Sequence, residues 1–171
     1  MLNPDLTLYQ KKKIKINIKN LDPRQFIGEI RLIRKNILYS KLPKDFCIYE
    51  EDLFKTTYHF GLFVENELVS VLTMIKKKSI FYKNLPAYQL RGMATKFHFQ
   101  NKKLGQKLIL YSILTILKTT KTSVIWCNAR INISNFYTKN NFQAKGRTFY
   151  IKNIGLHKCM FFDSRLFLKE T

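Results

Sequence analysis

Acid is scarce in this sequence. Eleven Asp and Glu stand against 31 Lys and Arg in 171 residues, a formal charge of +20. Such an excess suits nucleic acid, an anionic membrane surface or an acidic partner. Two features discount it. The basic residues are mostly Lys, in a chain also rich in Ile, Asn, Phe and Tyr, the residues of A/T-rich codons. They are also scattered, apart from Lys11-Lys12-Lys13, Lys76-Lys77-Lys78 and Lys102-Lys103. No nucleic-acid motif accompanies the charge, so nucleic acid is not the expected partner. Cysteine is scarce too. Cys47, Cys127 and Cys159 are odd in number and far apart, with no C-x-x-C pair, which excludes a disulfide framework and a zinc site. No metal is expected, and the thiols fit a reducing cytoplasm. Long apolar runs are missing: Leu108 to Leu117 falls short of the roughly 20 residues a membrane helix needs. The N-terminus has no signal-peptide core. These absences predict a protein of the cytoplasm with no membrane partner.

What remains is one domain over residues 1–171, with a loose lead-in at 1–12 and an unassigned tail at 163–171. There is no internal repeat. Lys13 to Lys19 alternates polar and apolar residues, the mark of a half-buried strand. Asp22-Pro23 starts a helix, with Asp as N-cap and Pro in the first turn. It should run to about Leu38, with Phe26, Ile27, Ile30, Ile33 and Ile37 on one face. Tyr39 to Thr57 reads as a structured loop with a helical turn. Tyr58 to Glu65 and Leu68 to Ile75 form a hairpin around Asn66-Glu67. Strands follow at Tyr88–Thr95, Ser123–Cys127, Phe142–Tyr150 and His157–Phe162. Helices begin at Leu104-Gly105 and span Asn132–Lys139, the latter ended by Asn140-Asn141. Hairpins together with crossover helices predict an α/β fold with a mixed sheet and helices on both faces. The helix from Leu104 is apolar nearly all round and is expected to be deeply buried.

The chain is organised around Tyr88 to Leu117, a strand, a loop and a helix start. The free N–H groups of a first helical turn, with the helix dipole behind them, make an anion site. Here Lys102, Lys103 and Lys107 surround that turn, so a phosphate or pyrophosphate is the expected guest.

Several segments together carry a resemblance. They are Tyr88-Gln-Leu-Arg-Gly-Met-Ala-Thr95, Gln100-Asn-Lys-Lys-Leu-Gly105, Trp126-Cys-Asn-Ala-Arg130, and Phe136-Tyr137-x-Lys139-x-x-Phe142, with Thr56 to Gly61 and Ile154 to His157 outside that block. In order and spacing the chain resembles small bacterial members of the GNAT superfamily of acetyl-CoA-dependent N-acetyltransferases, over roughly residues 13–162. The resemblance implies a mostly antiparallel central sheet with a splay between its two central strands. It implies acetyl-CoA as acyl donor and a small-molecule or peptide amine as acceptor, and a homodimer is common among relatives. The backbone of Met93, Ala94 and Thr95 would meet the pantetheine arm. The turn Gln100, Asn101, Lys102, Lys103, Leu104, Gly105 and Gln106 would hold the pyrophosphate. Tyr137 would protonate the leaving thiolate, a role that suits a phenol. Asn128 and Arg130, at the cofactor end of the neighbouring strand, would order the site or touch the cofactor.

The chain departs from the family pattern at Lys103, where a glycine is usual, at Asn141 and at Tyr39-Ser40, where relatives carry Arg-Pro. The departures at Lys103 and Tyr39-Ser40 leave a second reading, a non-catalytic module that binds CoA or a partner, and the charge alone leaves a third, a basic nucleic-acid-binding protein. Other residues also read two ways. His59 is a structural histidine or the base for the incoming amine. His157 is open to the same pair of readings, and Tyr137 alone could be a packing aromatic. Glu50, Glu51 and Asp52 form a solvated loop or attract a cationic amine. Arg91, in mid-strand, pairs with an acid or faces an acceptor pocket. His98 reads as an exposed loop residue, and Cys127 and Cys159 as core.

Overall fold

A computed structural model describes residues 14–166. The lead-in at 1–12, Lys13 of the first expected strand and residues 167–171 of the tail lie outside the described residues. Seven strands form one sheet: β1 (Ile16–Leu21), β2 (Thr57–Val64), β3 (Glu67–Lys76), β4 (Ala87–Thr95), β5 (Val124–Arg130), β6 (Gln143–Ile151) and β7 (Gly155–Asp163). Their spatial order is β1-β2-β3-β4-β5-β7-β6. Only β4 and β5 run parallel; every other pair is antiparallel. The helices are α1 (Pro23–Leu38), α2 (Leu104–Thr119) and the short α3 (Ser134–Thr138). No helix among the described residues is long and apolar enough to cross a membrane.

Helix α1 begins where its sequence dictates. The Asp22 carboxylate accepts from the Arg24 N–H, and Pro23 occupies a position whose N–H would go unused. At the far end the Lys35 ammonium donates to the Tyr39 and Ser40 carbonyls, a cation on the negative pole of the helix. Ile30 and Ile33 pack on Leu68, Val71 and Ala94 of the sheet. The opposite sheet face carries the larger cluster, in which Leu104, Leu108, Ile109, Ile113 and Ile116 of α2 meet Phe60, Leu72, Met74, Leu90 and Ile125. Helices therefore cover both faces. Toward β5 and β7 the α1 side is closed instead by the loop after β3: Tyr82 and Leu85 pack on Trp126 and Phe161, and the Trp126 indole donates to the Lys77 carbonyl.

Four expectations need correction. Strand β1 lies at the sheet edge and only Leu21 is fully buried; Ile14 and Ile16 are exposed, because an edge strand can alternate without a covering layer. The β2–β3 turn is Glu65-Asn66, one residue earlier than expected, with Glu65 at φ 55°. Helix α2 is buried on one side only, with Leu110 and Leu114 more than half exposed. Strand β5 continues to Arg130 rather than ending at Cys127.

The opening that positions the site comes from two backbone features. The β4–β5 ladder pairs only Ala87 with Val124, Tyr88 with Ile125 and Gln89 with Trp126, although both strands continue. Beyond Gln89 they splay apart, and the edge of β4 that faces β5 has no strand partner. On its other edge β4 carries a bulge: Val71 faces Ala94 but Thr73 faces Arg91, so β4 spends one residue more than β3. Gly92, at φ 60°, makes that bulge possible. A Cβ there would lie 2.6 Å from Arg34 Nε and 3.0 Å from the Tyr49 hydroxyl.

Candidate active site

A cavity of about 420 Å3 fills the splay. Leu90, Arg91, Gly92 and Met93 form one wall; Asn128, Ala129 and Arg130 form the other. Alternation along β5 assigns the sides. Ile125, Cys127 and Ala129 face the α2 cluster, so Trp126, Asn128 and Arg130 face the α1 side. The Arg130 guanidinium confirms it by donating to the Leu38 carbonyl at the end of α1, 2.6 Å away.

On the α2 side sits Tyr137, 5% exposed, carried by α3 and held against Phe136 and Phe142. It lines the cavity. Burial, and then the neighbouring Cys127 thiol, push its ionisation well above that of an ordinary phenol. The hydroxyl therefore keeps its proton and remains a donor. Burial likewise raises the Cys127 thiol, and Cys159 to about 11, which leaves both as inert core groups.

The turn before α2 lies against the end of β4. The Gln100 side-chain amide donates to the Thr95 carbonyl at 2.9 Å. Thr95 and Ser70 share a hydroxyl contact of 2.7 Å. Asn101 and Lys103 both take left-handed backbone, at φ 59° and 58°. Lys103, which stands where the family pattern has glycine, thus adopts the conformation a glycine would supply. It is the N-cap residue of α2 and its side chain caps no N–H, so the first-turn amides are not consumed by it. A Cβ on Gly105 would come within 3.2 Å of the Met93 methyl and 3.7 Å of Thr95 Oγ1. Lys102 lies over the Phe99 ring, Leu104 is buried, and Gln106 and His98 are exposed. The side chain of Ala94 points into the α1 cluster, so only its backbone is on offer.

The structure does not bring His59 to the cavity. Its Nε2 lies 2.8 Å from the Asp52 carbonyl, which can only accept, so Nε2 carries the proton. Nδ1 then accepts from the Thr73 hydroxyl at 2.9 Å, and that hydroxyl in turn accepts from Arg34. Burial lowers its basicity. Both ring nitrogens are occupied inside the core, so the expectation of a base at His59 gives way to a structural role. His157 does line the cavity. Its Nδ1 donates to the Gly155 carbonyl at 2.8 Å, which leaves the Nε2 lone pair available.

Two of the three acids in the loop after α1, Glu51 and Asp52, are consumed internally, and Glu50 is exposed. Asp52 is fully buried and bonds Arg34 at 2.9 Å, Arg31 at 3.2 Å and the Tyr49 N–H at 3.1 Å. Glu51 bridges Lys77 at 3.3 Å and Arg91 at 3.7 Å. The reading of this loop as a lure for a cationic amine therefore fails for these two residues. Tyr49 lies between two guanidiniums, Arg34 at 4.1 Å and Arg91 at 4.0 Å, and its hydroxyl meets that of Tyr39 at 3.0 Å. Both tyrosines line the cavity, with Arg91 and Lys77 beside them. Arg91 thus pairs with an acid and also lines the cavity.

A strand splayed from its parallel neighbour, a glycine bulge and a left-handed turn onto a helix define an acyltransferase scaffold, and the comparisons agree. No family model matches the chain. The Bacillus subtilis (strain 168) protein "Uncharacterized N-acetyltransferase YitI" is 30% identical over 129 residues, 75% of this chain and 86% of that one. FeeM, an N-acyl amino acid synthase from uncultured soil microbes, superposes with a TM-score of 0.76 at 11% identity, covering 93% of this chain and 96% of its own. An aminoglycoside 6'-N-acetyltransferase complexed with coenzyme A superposes with a TM-score of 0.70 at 11% identity, covering 86% and 97%. The chain belongs to the GNAT superfamily of N-acetyltransferases, enzymes that transfer an acyl group from acyl-CoA to an amine.

Proposed function

We propose that the chain transfers acetyl from acetyl-CoA to a small primary amine by direct attack, with no covalent enzyme intermediate. The observation that carries this reading is the gap between β4 and β5, which opens beside a buried phenol that keeps its proton. The thioester supplies an activated acyl group. The unpaired edge of β4 from Met93 to Thr95 offers backbone groups to the pantetheine arm. The amides of residues 100–106, with Lys102 and Lys103 beside them, receive the pyrophosphate, and Gly105 leaves the seam open against Met93. Asn128 and Arg130 order the opposite wall.

The proton account involves two groups. The amine nitrogen forms its bond to the acyl carbon and gives up one proton, for which His157 Nε2 is the acceptor on the α1 side. The carbon–sulfur bond breaks, and Tyr137 gives its proton to the sulfur. Each group is restored by exchange with solvent.

The test is Tyr137→Phe, which keeps the ring and removes the donor. Calorimetric titration should give unchanged acetyl-CoA affinity, while thiol release with an amine panel falls by about 10²-fold or more. An unchanged rate would remove Tyr137 from the mechanism. Absence of acetyl-CoA binding by the unmodified protein would overturn the proposal itself.

A further inference from the structure

The α1 side of the cavity has an unusual charge balance. Lys77, Arg91 and Arg130 line it, and no Asp or Glu among the described residues does. Glu51, just behind, is shared between Lys77 and Arg91. That leaves Arg130. Among the described residues it has no carboxylate partner; its one hydrogen bond is to the Leu38 carbonyl. A half-buried guanidinium with one N–H engaged still presents donors in a planar fork, the geometry that grips a carboxylate at two points. Its charge is costly to keep from water without an anion.

A second group calls for a donor on the same guest. Gln89 is 6% exposed and lines the cavity, and its Oε1 is buried with no hydrogen-bond partner. A buried orphan acceptor calls for an N–H from whatever fills the space. The remaining surface around these groups is apolar and aromatic, including Trp126, Tyr39 and Ile154. The volume, near the lower end for small-molecule clefts of about 300–1,000 Å3, suits a small acceptor beside the end of the donor.

We propose that the acceptor is an amine that also carries a carboxylate, an amino acid in the simplest case, with Arg130 taking the carboxylate and Gln89 taking an N–H. The inference rests on the transfer reading above and names its acceptor class. Polyamines and aminoglycosides are the wrong partners, since each would bring further positive charge to three cations served by one carboxylate. A phosphate of the donor is the competing anion for Arg130. The pyrophosphate turn, however, lies at the start of α2, on the other side of the sheet from Arg130.

The experiment first fixes acetyl-CoA affinity by calorimetry, then follows thiol release with paired acceptors. Each α-amino acid, ω-amino acid and dipeptide is compared with its carboxamide, alongside spermidine and an aminoglycoside. The expected result is turnover of at least one carboxylate-bearing amine, with kcat/KM about 10–100-fold above its carboxamide, the worth of one charged hydrogen-bonded contact. Arg130→Gln should bring that ratio toward one through KM while acetyl-CoA affinity stays within about twofold. The carboxamide comparison uses the unmodified protein, so it stands even if the variant misfolds. Equal rates for acid and carboxamide, turnover of cationic acceptors alone, or no turnover of any carboxylate-bearing amine by protein that binds acetyl-CoA would each overturn the inference. So would an Arg130→Gln variant that loses acetyl-CoA affinity and keeps the ratio, because the cation would then belong to the donor. Loss of acetyl-CoA binding in the unmodified protein would defeat the transfer reading and this inference with it.

Discussion

Replacing Asp52 with Leu should be among the most damaging single changes in the chain, and the reason lies with its partner. Arg34 and Asp52 are both fully buried, 2.9 Å apart. The carboxylate also serves Arg31 and the Tyr49 N–H. Without it the Arg34 charge retains the Cys47 carbonyl, the Thr73 hydroxyl and the face of the Tyr49 ring, while its Nε already has no hydrogen-bond partner. Breaking a buried pair from one side costs about 3–5 kcal/mol, because the surviving charge stays out of water uncompensated. With a urea slope of about 2 kcal/mol per molar, the unfolding midpoint should fall by about 1.5–2.5 M. Trp126, the one tryptophan, provides a fluorescence readout. The decisive comparison adds Arg34→Met. The double variant should be more stable than Asp52→Leu alone, since no charge is stranded, with a coupling of about 2–3 kcal/mol in the double-mutant cycle. Single variants that cost under about 1 kcal/mol, or costs that simply add, would refute the account of an isolated buried pair.

Two further expectations follow from the backbone and from titration. Lys103→Gly should stabilise by up to about 1 kcal/mol in thermal or urea unfolding, because a left-handed lysine is strained where glycine is not; a loss of stability would mean that the side chain contributes more than the backbone costs. Stability should fall as pH drops below about 6.5, since burial depresses the native His59 pKa and the unfolded chain takes up a proton that the native state refuses. This residue contributes a slope of at most about 1.4 kcal/mol per pH unit on the acid side of its ordinary pKa, and a His59→Gln variant that keeps the same slope would assign it elsewhere.

The elements legible in the sequence are those fixed by local chemistry. Asp22-Pro23 set the start of α1 to the residue, and Asn141 took the left-handed position after α3 at φ 65°. The start of α2 at Leu104 was legible in the apolar run that opens there, and the family pattern pointed to Met93, which lines the cavity with Tyr137 and lies against Gly105. What was not legible depends on distant partners. Arg34 shares a helical stripe with Ile30 and Ile37, so its position was visible, but its burial is decided by Asp52 and Thr73, 18 and 39 residues on. His59 was ambiguous because a strand position alone does not say that a loop carbonyl will occupy its ring nitrogen. Asn128 and Arg130 looked like the end of a strand because they are polar; they are polar because one side of β5 faces a cavity. Gly92 was the available signal for the bulge, since an isolated glycine inside a strand marks such a break.

The tyrosine held between Arg34 and Arg91 shows how the fold decides the charge of the site. Two guanidiniums about 4 Å from one ring would repel each other if left alone. Two successive residues of one short turn resolve this. Asp52 turns inward to Arg34, and Glu51 turns outward to Arg91 and Lys77. Two carboxylates of a three-residue acidic run are thereby divided between core and rim and committed before any substrate arrives, while Glu50 stays exposed. The same division explains why Arg130 has no acid of its own among the described residues. It stands on β5, across the splay from the turn that carries Glu51 and Asp52, and α1 offers it only the carbonyl of its last residue. The cationic character of the α1 side of the cavity is therefore a product of where two carboxylates point, with Lys77 the one lysine among its three cations.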